Sequence, residues 1–166
     1  GGNKLRITAS EVMRVAQGLY EAGYITYMRT DAVTLGAEAL HEVRTAISTT
    51  YGEEFLSATT REYKSKVKNA QEAHEAIRPA LPLRSPEELA PELRANELAL
   101  YRLIWQRTLA SQMNDTLGTT LTVRLGAITP GTNPANCEFS ASGTTITFAG
   151  YRQAYQEVVE ESADDA

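Results

Sequence analysis

Cysteine is almost absent: Cys137 is the only one in 166 residues. One thiol makes no internal disulfide and no thiolate-rich zinc site, and it fits a reducing, cytoplasmic compartment. No run approaches the roughly 20 apolar residues of a membrane-spanning helix; the nearest, LALYRLIW, is broken by Arg102. The opening GGNKLRITAS has no apolar signal core, so neither secretion nor a membrane partner is expected. An excess of positive charge is also missing. Lys and Arg number 16 against 21 Asp and Glu, a net −5. Five of those acids lie in the final EVVEESADDA, and without it the charges balance. Residues 157–166 therefore read as an acidic, disordered tail. A neutral body lacks the overall basic face of many nucleic-acid-binding domains, so any such binding must come from a local patch. There is no GxxxxGK[ST], no GxGxxG and no GxSxG. His41 and His74 are the only histidines, His41 reads as a solvated helix residue, and no carboxylates cluster at metal-ligand spacing.

What is present is ordinary globular composition, 42% hydrophobic and 22% charged. Thr8-Ala9-Ser10-Glu11 has capping-box spacing. Met13, Ala16, Leu19 and Tyr20 then recur as one helical stripe that Gly23 ends. YITYM at 24–28 is short, aromatic and β-branched, and reads as a strand. Thr34 is placed to cap a helix to about Thr49, with Leu35, Leu40, Val43 and Ile47 inward and Gly52 as its stop. A short helix is expected over Gln71–Ile77, ended by Pro79. Ser85-Pro86-Glu87-Glu88 starts another helix, cut short by Pro91. Asn96 is expected to cap a longer one to about Met113, burying Leu100, Ile104, Trp105 and Leu109. From there the texture turns to β. TLGTTLTVRLGAI alternates as a strand, and CEFSASGTTITFAG reads as two strands turning at Ser142-Gly143.

These patterns predict an α+β chain. A mainly helical domain with a short strand spans 1–115, an antiparallel β segment 116–156, and the tail 157–166. Three or four strands are thin for an independent sheet, so the β segment is expected to need a partner segment from outside this chain.

Two segments carry candidate chemistry. In YITYMRTD, Tyr27 and Arg29 are two apart, which on a strand places them on one face. A phenol ionises near pH 10 and is a weak nucleophile unless assisted. A guanidinium beside it supports the phenolate and offers a donor fork matched to phosphate oxygens. In QEAHEAIRP, His74 and Arg78 are four apart, which on a helix places them on one side, where they could hold a phosphate and move a proton. Taken singly, each has an ordinary reading: a Tyr and an Arg in a strand, and a histidine paired with Glu72, Glu75 or Arg78 on a wet helix. Arg61, Lys64, Lys66 and Lys68 form a small basic run that equally reads as a solvated loop.

In this order the segments resemble the type IA DNA topoisomerases, bacterial topoisomerase I in particular. The matching stretches are KLRITAS, MRVAQGLYEAG, YITYMRTD, QEAHEAIRP, LYRLIWQRTLASQM and GTTITFAGYRQAY, covering about Lys4 to Tyr155. The resemblance implies that Tyr27 is the catalytic tyrosine and attacks a single-stranded DNA phosphate to give a 5′-phosphotyrosyl link. It implies that Arg29 holds that phosphate, that His74 assists beside it, and that Arg78 is a structural or DNA-contacting residue. Ala32 departs from the family, which usually has serine there. The resemblance also implies Mg2+, held by an acidic Toprim domain for which this chain has no counterpart; no metal ligand is expected in the chain itself. Its partners would be DNA and the remaining domains of the same polypeptide, in a nucleoid-associated enzyme of the cytoplasm. As a piece it would not relax DNA alone. The alternative is a single-stranded DNA-binding module without catalysis. Tyrosine recombinases and type IB enzymes fit less well: they resemble Arg…His-x-x-Arg…Tyr with tyrosine last, whereas here tyrosine comes first and the spacing is His-x-x-x-Arg.

Overall fold

The computed structural model describes residues 5–64, 75–128, 130 and 136–156. Lys66, Lys68, His74 and the acidic tail 157–166 lie outside the described residues. The fold class is α+β, and the chain divides into two compact units, Gly1–Asn114 with Tyr151–Ala166, and Asp115–Gly150.

Among its described residues the first unit has four helices, α1 (Ala9–Glu21), α2 (Ala37–Tyr51), α3 (Pro86–Leu89) and α4 (Ala95–Ala110), with a 3-10 turn at Glu53–Phe55; a further 3-10 turn, Gly150–Tyr155, leads back into it. Helix α4 is the hub against which α1, α2 and α3 all pack. Its buried stripe is Leu100, Tyr101, Trp105, Thr108 and Leu109, with Ile104 only partly buried. Its cap is Arg94 rather than Asn96, the Arg94 N–H donating to Glu97, so the helix begins at Ala95. Val15, Ala16 and Leu19 of α1 and Val43 and Ile47 of α2 complete the core. Each such Leu, Ile or Val contributes about 1.5–3 kcal/mol when fully buried.

Several expected faces turn slightly. On α1, Met13 and Tyr20 are exposed at 39% and 40%, and Val15 takes the inward place. On α2, Ala39 is buried where Leu40 was expected, and Gly36 rather than Thr34 occupies the cap. Other signals read as they stand. Thr8 Oγ1 accepts from Glu11 N–H at 3.2 Å. Ser85 and Glu88 close a full capping box around Pro86. Gly23, at φ +79°, lets Tyr24 N–H reach back to Leu19 C=O and its own N–H to Tyr20 C=O, the paired closure of a helix end.

The second unit is a two-stranded antiparallel ribbon, β1 (Leu117–Ile128) with β2 (Asn136–Phe148). The expected turn at Ser142-Gly143 does not form: β2 runs through it, with Ser142 opposite Thr122 and Gly143 opposite Leu121. Gly143 does not take the positive φ that a tight hairpin turn needs. The described strands thus number two, not three or four. One ribbon face is polar, with Thr120–Thr144 and Thr122–Ser142 hydroxyl pairs at 2.8 Å. The other carries Leu121, Val123, Leu125 and Phe139, all exposed. Residues 151–156, grouped in the sequence with the β segment, return to the helical unit, where Ala154 is buried in the core.

Tyr101 couples this core to pH. Its side chain is buried and its hydroxyl donates to Arg84 C=O at 2.6 Å. Burial, only partly offset by the Arg84 charge, pushes its pKa up to about 12. An acid raised in the folded state stabilises fully below its unfolded pKa, near 10, and loses that contribution as pH climbs through the folded value. Thermal unfolding of the chain should therefore show Tyr101→Phe less stable by about 1 kcal/mol at pH 8. That gap should close and then reverse in sign between pH 10 and 12, because a pKa rise from about 10 to about 12 is worth about 2–3 kcal/mol; a constant gap would refute the assignment.

Candidate active site

The segment around Tyr27 is held by backbone pairing rather than by a sheet. Ile25 forms an isolated antiparallel bridge with Pro79. Thr26 N–H donates to Arg78 C=O, and Ala80 N–H to Tyr24 C=O, each at 2.9 Å. Pro79 occupies the one position in this pairing that asks for no N–H, so its missing donor goes unfelt. Thr26 extends the pairing with its side chain. Its hydroxyl donates to Ala76 C=O at 2.8 Å and accepts from Arg78 N–H at 2.9 Å. The expected strand at 24–28 is therefore a single bridge continued by a threonine hydroxyl.

The same pairing corrects the expected helix at 71–77. Residues 71–74 lie outside the described residues, and 75–77 are not helical. Proline at 79 disfavours helical backbone at Arg78, and the bonds to 24–26 draw the run into extended form. The helical face proposed for His74 and Arg78 is thus not built by residues 75–78, and His74 itself is outside the described residues.

Tyr27 is 40% exposed, Met28 beside it is buried, and Arg29 is again exposed. Tyr27 and Arg29 therefore flank an anchored methionine and both face solvent. Among the described residues neither the Tyr27 hydroxyl nor the Arg29 guanidinium has a hydrogen-bond or ion-pair partner. The Tyr27 ring meets the ring of Tyr20 on α1 edge-on, with centroids 5.2 Å apart and planes at 65°. Upstream, Tyr24 OH donates to Glu92 at 3.0 Å, and Glu92 also accepts from Arg84. Arg84, with Tyr24, keeps the Glu92 carboxyl below its ordinary pKa, and Glu92 raises that of the Tyr24 phenol.

Arg78 is turned inward. Its side chain is only 11% exposed, donates from Nε and Nη2 to Glu75, and donates from Nη1 to Pro79 C=O at 2.8 Å. The other Glu75 oxygen accepts from Gly36 N–H at 2.7 Å, and Ala76 N–H donates to Thr34 C=O at 2.8 Å. Glu75 thereby ties the loop that follows Tyr27 to the 75–80 run. A side chain on Gly36 would collide with that carboxylate. Sequence reasoning named Glu75 only as one partner for His74 and Tyr20 only as a member of the apolar stripe of α1. For Glu75 the available signal was its three-residue spacing from Arg78; for Tyr20 no sequence signal was available. Of the basic run, Arg61 is fixed by Gln112, which bonds both its N–H and its C=O at 3.0 Å. Residues 130 and 136–156 add no titratable cluster, and no three His, Cys, Asp or Glu side chains converge among the described residues.

Removing the Glu75 carboxylate would strand a mostly buried guanidinium and free the Gly36 amide. Glu75→Ala is expected to lower the unfolding free energy of the chain by about 1.5–3 kcal/mol in urea titration. A loss under about 0.5 kcal/mol would reduce the contact to an ordinary surface pair.

A family model described as DNA topoisomerase matches residues 2–165. The chain is 50% identical over 170 residues to DNA topoisomerase 1 of Mycobacterium leprae, covering 99% of the chain and 18% of that protein. It is 50% identical over 155 residues to DNA topoisomerase 1 of Synechococcus elongatus, covering 93% of the chain and 16% of that protein. It also resembles the solved full-length topoisomerase I of Thermotoga maritima, with TM-score 0.73 and 30% identity over 94% of the chain and 25% of that structure. The chain thus spans under a fifth of the length of these curated relatives, and it belongs to the DNA topoisomerase family.

Proposed function

We propose that this chain supplies the nucleophile of a type IA DNA topoisomerase. Tyr27 Oη attacks a phosphorus of single-stranded DNA. The phenolic proton leaves, the P–O3′ bond breaks, and the 3′ oxygen takes up a proton to become a free hydroxyl. The DNA 5′ end remains esterified to Tyr27. One phosphodiester replaces another, so the reverse attack reseals the strand without ATP, and passage of a strand in between relaxes negative supercoils. The observation that carries this reading is the solvent-facing phenol of Tyr27 and the nearby Arg29, both without a polar partner among the described residues, on backbone fixed from both sides. A free guanidinium next to a developing phosphate charge is an effective electrostatic stabiliser, because nothing must be displaced before it acts. His74 is assigned to the same phosphate as a proton-moving group. Arg78, already engaged by Glu75 and Pro79, acts on the DNA through the backbone it holds.

Mg2+ belongs to the Toprim domain of the complete enzyme in this reading. No cluster of ligands among the described residues fits the ion, so no residue of this chain is assigned to it. The enzyme would act in the cytoplasm, on nucleoid DNA; no described helix is long and apolar enough to cross a membrane. The remaining domains of the polypeptide are the other partner. An apolar ribbon face that its unit's described residues leave exposed is marginal in water, and those domains would cover it.

In the complete polypeptide, Tyr27→Phe should abolish the covalent adduct with a single-stranded oligonucleotide while leaving salt-dependent binding in place. An adduct that persists would overturn the assignment. Arg29→Ala should slow single-turnover cleavage by about a hundredfold or more. For the ribbon, amide hydrogen exchange across β1 and β2 should be at least tenfold slower in the complete polypeptide than in this chain. Equal rates would mean that the ribbon face stays open.

A further inference from the structure

We propose that Tyr20 is a positioning residue for Tyr27: its ring fixes the orientation of the attacking phenol by edge-to-face packing, and its own hydroxyl is dispensable. The inference rests on Tyr27 being the nucleophile. An exposed tyrosine ordinarily exchanges between side-chain orientations, and only some of them aim the oxygen at a bound phosphate. Attack requires a near-fixed geometry, so whatever holds the ring raises the fraction of time it is poised. Around Tyr27 the described structure records one ring contact, with Tyr20 at 5.2 Å and 65°. That arrangement puts the positive edge of one ring against the negative face of the other.

The platform itself is rigid. Tyr20 sits in the last turn of α1, between buried Leu19 and the Gly23 closure. Tyr24 N–H bonds Leu19 C=O at 2.8 Å, so the helix end and the start of the nucleophile segment form one hydrogen-bonded piece. Both rings are equally exposed, at 40%. Burial therefore does not explain the contact, and an apolar residue of a different shape would not reproduce it.

The test uses the complete polypeptide with a single-stranded oligonucleotide, reading the single-turnover cleavage rate at saturation and, separately, the binding affinity. Tyr20→Phe keeps the ring and should cleave within twofold of the parent. Tyr20→Leu removes the ring edge and should slow cleavage by about two- to tenfold, with affinity within twofold and an unchanged melting temperature. A loss in affinity with the rate intact would overturn the proposal and make Tyr20 a base-stacking residue instead. A full rate in Tyr20→Leu, or an equal loss in Tyr20→Phe, would also overturn it. If Tyr27→Phe still forms the adduct, the nucleophile assignment itself fails; if that adduct is lost while Tyr20→Leu cleaves normally, only the positioning role fails.

Discussion

The pairing of 24–26 with 76–80 is the constraint on which the rest of the helical unit's site depends. Two segments far apart in sequence are joined by backbone hydrogen bonds and by one threonine hydroxyl that both donates and accepts. Everything nearby is referenced to that seam. Met28 anchors just beyond it, so Tyr27 and Arg29 are held outward by default. Glu75 and Arg78 extend it to the loop before α2. A short seam of this kind is stiff because few torsions separate its fixed points, and stiffness is what an attacking group on an exposed segment otherwise lacks.

Much of the helical unit was legible because its signals are local. The cap at Thr8, the box at Ser85–Glu88 and the stop at Gly23 each depend on a few neighbouring residues, and each formed as read. The β texture after residue 114 was legible from alternation alone. What was not legible depended on partners distant in sequence. YITYM has strand composition, but the distant run it meets at Pro79 pairs with it at a single bridge. QEAHEAIRP has helical spacing, but the same pairing draws its second half out straight. Ser142-Gly143 looks like a turn, yet β1 is long enough to pair straight past it.

The site shows the same division. Tyr27 and Arg29 stand out by residue type and spacing, and their roles come from resemblance to the topoisomerases. Arg78 stands out equally, but its inward orientation depends on Glu75 and on the Pro79 carbonyl, which only folded geometry brings together. Tyr20 was grouped with Met13, Ala16 and Leu19 in one stripe because helical periodicity has no means of knowing which side of α1 meets the body of the unit. Its exposure, and its contact with Tyr27, follow from Val15 taking the inward place.

Where the helical unit gives up the chain and takes it back has a topological consequence. Tyr151 N–H donates to Asn114 C=O at 2.8 Å, while Asn114 also binds Phe55, Glu54 and Leu56. The two crossing points are thus stitched to each other and to the unit's interior. The β ribbon is an insertion spliced into a host whose cut ends are already knotted shut, and its strands could lengthen, shorten or diverge in sequence over evolution with little disturbance to the nucleophile's scaffold.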